Sequence, residues 1–408
     1  MRSVFIGVVF ALSIVVLSSP ASAADCEVVH SWTSPEEVAG EAVLAEAFNA
    51  GGDHWEGVRV DANELQTQVI RQIASGNAPC AALLSPATIA TLAASGLLRD
   101  LRDLASQGSW ANFLEASALD GCTVDGHILC VPVSLRTEQW MWLNRDVYQQ
   151  AGMNVPQSWT EFVASVDSVR ASGKLPLAVA EGWPVGNLLD GIEVAVAGTA
   201  NYLSVYRGRD TNVAGGPDYR DVWTQFDVAR RLVEPGQRIA RWDEAVDLVV
   251  QGQAAANVTG DWALARFEAA GKTPGVDFDC LPGLGQNPAL HVVAETLAFP
   301  VSQDPEIVHA QEALAAVLVR DDVQREFNAR RGTLPARLGG GDGADVCVQR
   351  GVALIQNGAT YPSRDELLDG DSLRQIRDLE TQFFADTNMS IDEAQARLVD
   401  IIQNAPPP

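Results

Sequence analysis

The stretch Cys26-Glu27-Val28-Val29-His30-Ser31-Trp32, followed at once by Thr33-Ser34-Pro35-Glu36-Glu37, decides the fold class. Residues 26–32 form a short, mostly apolar run of the kind a buried strand takes. Ser34 is placed to cap a helix. Pro35 sits at its first position, where the missing N–H is no loss, and Glu37 completes a capping box with Ser34. Gly40, Val43, Leu44, Ala47 and Phe48 then share one face, and Gly51-Gly52 stops the helix. The pattern repeats with a strand around Val58 to Val60, a helix from about Leu65 to Ala74, a strand at Ala81 to Leu84 and a helix from Ala87 to Ala94 ending at Gly96. Such alternation predicts an α/β protein, with a mainly parallel sheet covered by helices. In sheets of this kind ligands bind beyond the carboxyl ends of the strands, and Trp32 lies at such an end.

Working outward, residues 1–23 read as a signal peptide. Arg2 supplies the positive start, Val4 to Leu17 the apolar core, and Ala21-Ser22-Ala23 the small-residue cleavage site. The apolar run is too short to anchor in a bilayer, and Cys26 follows Asp25 rather than a small residue, unlike a lipoprotein signal. Downstream, Thr123-Val124-Asp125-Gly126-His127 reads as a hairpin tip leading into Val131-Pro132-Val133, an apolar crossing segment. Strand signals at Trp140 to Leu143, Leu175 to Val179 and Ala254 to Val258 alternate with helical ones. Residues 292–300 form another crossing. Helices are expected at 305–328, 372–385 and 391–403, the last capped by Ser390. Gly339 to Gly343 reads as a loop and Pro406 to Pro408 as a tail. The chain of 408 residues is too long for one core. Two lobes are predicted, one from 24–133 and 296–345, the other from 134–295 and 346–408.

The net charge is −25, one unit more negative once Arg2 is removed. An acidic surface of this size repels phosphate backbones and anionic lipids, which argues against a nucleic-acid partner. No G-x-S-x-G occurs, and the five histidines are scattered, so neither a catalytic nucleophile nor a metal site is expected. Gly271-Lys272-Thr273 resembles the end of a phosphate loop, but Arg266 stands where its first glycine belongs. No cofactor is expected. Six cysteines without a C-x-x-C favour disulfides in a secreted chain. Cys122 and Cys130 flank the Asp125-Gly126 turn, and Cys26 and Cys80 begin two strands expected to be neighbours. Ten tryptophans stand against five tyrosines. Trp32 lies near Glu37, Trp183 near Glu181 and Asn187, and Trp262 beside Asp261. An aromatic plane covers the C–H face of a sugar while carboxylates and amides take its hydroxyls. Trp110, Trp142, Trp159, Trp223 and Trp242 are expected in the cores. Two carboxylates flanking a glycosidic bond are paired in space rather than in sequence, so a glycan-cleaving enzyme stays open at this point.

Taken in order, His30-Ser31-Trp32-Thr33-Ser34-Pro35-Glu36-Glu37, Ala94-Ser95-Gly96-Leu97-Leu98, Val131-Pro132-Val133, Trp140-Met141-Trp142-Leu143-Asn144, Gly260-Asp261-Trp262-Ala263 and Arg331-Gly332-Thr333-Leu334-Pro335-Ala336-Arg337 resemble the extracellular solute-binding family 1. Within it the chain resembles the glucose-type binding proteins of Gram-negative bacteria. The resemblance implies a type II periplasmic-binding-protein fold, two α/β lobes joined by three hinge crossings. It implies a periplasmic monomer that binds a small sugar and hands it to the membrane permease of an ABC importer. It places ligand-binding roles on Trp32, Glu37, Asp261, Trp262, Glu295 and Arg331, with Trp183 added from the aromatic pattern. It also supports Cys280–Cys347 as the remaining disulfide. The family's first tryptophan is Ser31 here, a sugar-binding lysine is Ser85, and an expected histidine is missing from the region of Pro362-Ser363-Arg364-Asp365, where Arg364 is the candidate substitute. These departures tell against glucose itself. A sugar acid or a polyamine on the same fold is the alternative ligand class: Arg331, Arg337 and Arg364 would suit an acid, the net charge a cation.

Overall fold

The computed structural model describes residues 25–233, 238–337, 339 and 345–407. The expected signal peptide (1–23) and most of the glycine loop at 339–343 lie outside the described residues.

The opening stretch folds as its residues dictate. Strand β1 (Asp25–His30) leads into the helix Pro35–Asn49, whose Ser34 side chain accepts from the Glu37 N–H while the Glu37 carboxylate accepts from the Ser34 N–H. Strands β2 (His54–Arg59) and β3 (Ala81–Leu84) lie parallel to β1 on either side, with the helices Ala62–Ala74 and Pro86–Ala94 following them. In the hairpin β4 (Thr123–Val124) and β5 (His127–Ile128), Asp125 and Gly126 both have positive φ, 49° and 77°, the conformation that favours Asp-Gly in a two-residue turn. Strands β6 (Cys130–Thr137), β7 (Trp140–Asn144), β8 (Leu175–Ala178), β9 (Ala254–Thr259), β10 (Phe278–Pro282), β11 (Leu290–Ala298) and β12 (Thr360–Tyr361) complete the set. The first sheet runs β12-β11-β3-β1-β2, with β6 also on β11, and the second β10-β7-β9-β8. The second sheet is mixed: only β8 and β9 are parallel, while β7 runs antiparallel to both neighbours.

Three segments pass between the lobes. β6 and β11 pair antiparallel along most of their length, with a bulge between Glu295 and Thr296. The third pass lies beside them: Leu334 and Leu135 exchange both backbone hydrogen bonds, at 2.7 and 3.0 Å. The helix expected over 305–328 is two helices, Pro305–Leu318 and Asp321–Arg331. No glycine or proline marks the break. Arg320 is extended (φ −67°, ψ 140°) ahead of Asp321 and Asp322, acids that suit a helix N-terminus. Buried Gln324 donates to the Leu318 carbonyl that the break leaves free, and to Pro132 on the crossing.

One apolar core gathers Val28, Phe48, Leu83, Phe299, Leu314 and Phe327 around the first sheet. Another gathers Trp159, Phe162, Leu188, Tyr202, Trp223 and Phe383 in the second lobe. A third, near the crossings, holds Trp140, Trp142, Phe267, Phe278 and Leu334. Trp110, Trp142, Trp159 and Trp223 are buried as expected, whereas Trp242 is only partly buried. Cys26–Cys80, Cys122–Cys130 and Cys280–Cys347 are all bonded. Among the described residues no helix is long and apolar enough to cross a membrane.

Candidate ligand cleft

Between the lobes lies a cleft of about 1240 Å³. Ser85, Pro86 and Ala87 line it from the carboxyl end of β3, where Ser85 caps the helix Pro86–Ala94. Its floor is the crossing itself, with Leu135 and Arg136 of β6 and residues His291 to Ala294 of β11. The far wall comes from the start of the helix Trp183–Tyr206, from Trp262, and from residues 360–366 with the helix Gly370–Ala385 behind them. In the first lobe the parallel strand β3 therefore delivers its carboxyl end to the cleft, as the strand–helix alternation implied, whereas the residues that follow β1 and β2 do not line it.

Four of the expected site residues come together here: Ser85, Trp183, Trp262 and Arg364. The two indoles meet edge to face, with ring centroids 5.8 Å apart. Trp183 is 52% exposed, an unusual share for so large an apolar side chain. Trp262 is braced from behind by Trp242, at 6.3 Å, and the Arg136 guanidinium sits 4.8 Å from its ring centroid. Gly260 permits this placement: a Cβ there would lie 2.0 Å from the Trp262 ring.

The other five stand elsewhere. Trp32 is 1% exposed and packs between His30 and Phe327, so the first-lobe core takes it and the cleft does not. Glu37 caps its helix and also accepts from the Thr33 N–H. Asp261 accepts from both the N–H and the hydroxyl of Thr137, at 2.9 and 2.7 Å, latching the end of β9 to the end of β6. Burial pushes its carboxyl up to about 7 against those two bonds. Glu295 and Arg331 are partners of each other: Arg331 is 4% exposed and its guanidinium donates to the Glu295 carboxylate. None of these five lines the cleft. Each finds a nearer protein partner, a competition that motif order does not reveal.

The wall around Arg364 is a buried charge cluster. Its guanidinium pairs with Asp190 at 2.7 Å and with Glu380. Glu193 follows on the same helix as Asp190 and accepts from the Tyr206 hydroxyl at 2.5 Å. Burial pushes Asp190 up to about 7 and Glu193 up to about 8, with Arg364 opposing and the neighbouring carboxylates adding to the rise. On the floor, His291 lies 3.5 Å from both Glu138 and Glu366. Burial disfavours its charge, but the two carboxylates outweigh burial and raise it to about 9. Both buried cations of the cleft are thus already matched by acids. Asn187, noted in the sequence only as a neighbour of Trp183, and Gln139, Asp190, His291 and Tyr361, which the sequence did not mark, also line the cleft. For the helix residues a signal was present: Asn187 and Asp190, with Glu193 next, recur every third residue along the otherwise apolar first half of the helix Trp183–Tyr206. Among the described residues no group of three or more His, Cys, Asp or Glu side chains is arranged to hold a metal ion.

A model of the bacterial extracellular solute-binding protein family matches residues 43–352. A probable sugar-binding periplasmic protein of Mesorhizobium japonicum is 26% identical over 417 residues, spanning 99% of this chain and 100% of that one. Among solved structures, a chitin oligosaccharide binding protein superposes with a TM-score of 0.73 at 18% identity, covering 94% of this chain and 99% of its own. A bacterial solute receptor, AcbH, described as having an exclusive preference for β-D-galactopyranose, superposes with a TM-score of 0.72 at 18% identity, covering 92% and 98%. At these identities the structural likeness concerns the fold, which is that of two α/β lobes around a cleft.

Proposed function

The chain belongs to the bacterial extracellular solute-binding protein family, and from that premise we propose that it is the periplasmic binding component of an ABC-type carbohydrate importer, holding a small neutral mono- or disaccharide between its lobes. The observation that carries this reading is the Trp183–Trp262 pair on a cleft whose lining also presents amide, hydroxyl, carboxylate and guanidinium groups. Such a surface offers an apolar plane and many hydrogen-bond partners, the pattern that suits a sugar ring. The chain acts by binding, without chemistry and as a monomer. Residues 1–23 are removed on export. Residues 24–133 with 296–345, and 134–295 with 346–408, rotate about the three crossings, and the closed form docks on the permease. The rest of the expected site set, Trp32, Glu37, Asp261, Glu295 and Arg331, stands outside the cleft lining and acts on ligand only through the residues it positions.

A sugar acid fits less well. Arg331 and Arg364 are committed to Glu295, Asp190 and Glu380, and Arg337 donates to the Val319 carbonyl and stacks 3.8 Å from the Phe113 centroid. No arginine of that trio is left to meet a carboxylate.

The test is Trp262→Ala, followed on one protein by titration calorimetry with the bound sugar and by denaturant unfolding. Loss of an aromatic platform used only in the complex is expected to weaken binding by at least ~1.5 kcal/mol, more than tenfold, with a nearly unchanged unfolding midpoint. Unchanged affinity, or a loss of ~3–5 kcal/mol of folding stability as for a core tryptophan, contradicts the reading.

A further inference from the structure

Asn187 is 4% exposed, lines the cleft, and has no hydrogen-bond partner for either its Oδ1 or its Nδ2. Burying both halves of an amide unpaired is unfavourable, and such a group on the wall of a cleft is placed to be satisfied by what enters it. Two further cleft-lining atoms share this state: Gln139 Oε1, on a residue 1% exposed, and the Tyr361 hydroxyl, on a residue 4% exposed. None of the three belongs to the charge cluster's own pairing. Asn187 stands on the first turns of the helix Trp183–Tyr206, one turn after the exposed Trp183 and one turn before Asp190.

An amide holds a donor and an acceptor side by side in one plane. Two adjacent ring hydroxyls match it, one donating to Oδ1 and the other accepting from Nδ2. A carboxylate ligand would meet Oδ1 as a like dipole, the buried cations Arg364 and His291 are already paired with acids, and the more exposed Arg136 lies over the Trp262 ring and 3.8 Å from Glu295. An ammonium group would leave the Nδ2 donor unsatisfied. We propose that Asn187 is the specificity-determining residue of the cleft, reading a vicinal diol on a neutral sugar ring, with Gln139 and Tyr361 taking further hydroxyls. This rests on the sugar-binding reading above and names what sets its selectivity.

The experiment compares wild type, Asn187→Ala and Asn187→Leu by calorimetry against D-glucose, D-galactose, N-acetylglucosamine, their disaccharides and the monodeoxy analogues of whichever sugar binds best. Asn187→Leu keeps the volume, so a cavity alone does not explain its behaviour. Both variants are expected to lose about tenfold to a hundredfold in affinity for the parent sugar. A monodeoxy analogue lacking one hydroxyl of the diol should bind wild type more weakly by a similar factor, yet bind the variants no worse than the parent does. The melting temperature without ligand should hold or rise, since an unpaired buried amide has gone. Variants that rank parent and analogues as wild type does, or that melt well below wild type when both are ligand-free, overturn the proposal. If wild type binds no sugar at all, the sugar reading itself fails, an outcome separate from a failure of Asn187 alone.

Discussion

Replacing Arg331 by alanine is expected to cost about 3–5 kcal/mol of folding stability, the scale for removing one partner of a buried ion pair. The Arg331 side chain is 3% exposed, and that of its partner Glu295 12%. Its guanidinium also lies 5.3 Å from the Trp32 ring centroid and 4.8 Å from that of Phe327. Its stem lies against Gly40 so closely that a Cβ there would come within 2.6 Å of Arg331 Cγ. The residue therefore joins the first helix, the end of the helix Asp321–Arg331 and the bulge of the β11 crossing. Burial raises the Glu295 carboxyl, but the Arg331 charge outweighs it and holds the group below the usual carboxylate range. With Arg331 gone, that carboxylate stays buried with only the more distant Arg136, 3.8 Å away, to oppose its charge. Pairing Arg331→Met with Glu295→Leu removes both charges and keeps much of the volume, so the double variant should recover most of the loss. Denaturant unfolding measures both. A single variant that unfolds like wild type but no longer binds sugar would return Arg331 to the ligand set that the motif resemblance suggested.

Removing the Cys280–Cys347 disulfide by serine substitution at both positions is expected to cost about 4 kcal/mol, against about 2.5 kcal/mol for Cys122–Cys130. The difference comes from loop length: the bonded residues are 67 apart in the first pair and 8 in the second. The larger loop contains the β11 crossing, the helices Pro305–Leu318 and Asp321–Arg331 and the third crossing, so closing it removes far more freedom from the unfolded chain. It also ties β10 to the helix Val346–Gln356, and both sulfurs belong to buried residues. Unfolding of the two double-serine variants under matched conditions should show the first midpoint falling further. Equal shifts, or the reverse order, would contradict the chain-entropy account.

What could be read in advance was local. The capping box of Ser34 and Glu37, the strand at Ala81 to Leu84 and the Asp125-Gly126 turn depend on residues a few positions apart, and they folded as expected. The Cys122–Cys130 disulfide followed from the same local logic, and Cys26–Cys80, 54 residues apart, from the expectation that their strands are neighbours. The third needed family resemblance, because Cys280 and Cys347 meet only through the return of the chain. The cleft was half legible. Trp183 and Trp262 announced themselves as tryptophans beside polar residues, but Trp32 carried the same signal and is a core residue, since what covers it is Phe327, far along the chain. Glu41 shows the limit from the other side. It sits on the buried face of the first helix, with His30 at 3.0 Å and Arg59 at 2.6 Å, and these partners with Trp55 bring its pKa down to about 2 although burial pushes it up. Nothing in the helical pattern distinguishes that glutamate from an exposed one. Partners distant in sequence decide such positions, and hydrophobic periodicity carries no record of them.

The central claim is that this cleft binds a neutral sugar, and thermal unfolding of the wild-type protein against a panel of neutral mono- and disaccharides, hexuronic acids and polyamines tests it most directly. The account predicts that one neutral sugar raises the melting temperature, in proportion to about 2.7 kcal/mol of added stability at ~100 times its dissociation constant. A panel in which only the uronic acids or only the polyamines shift the transition would contradict it.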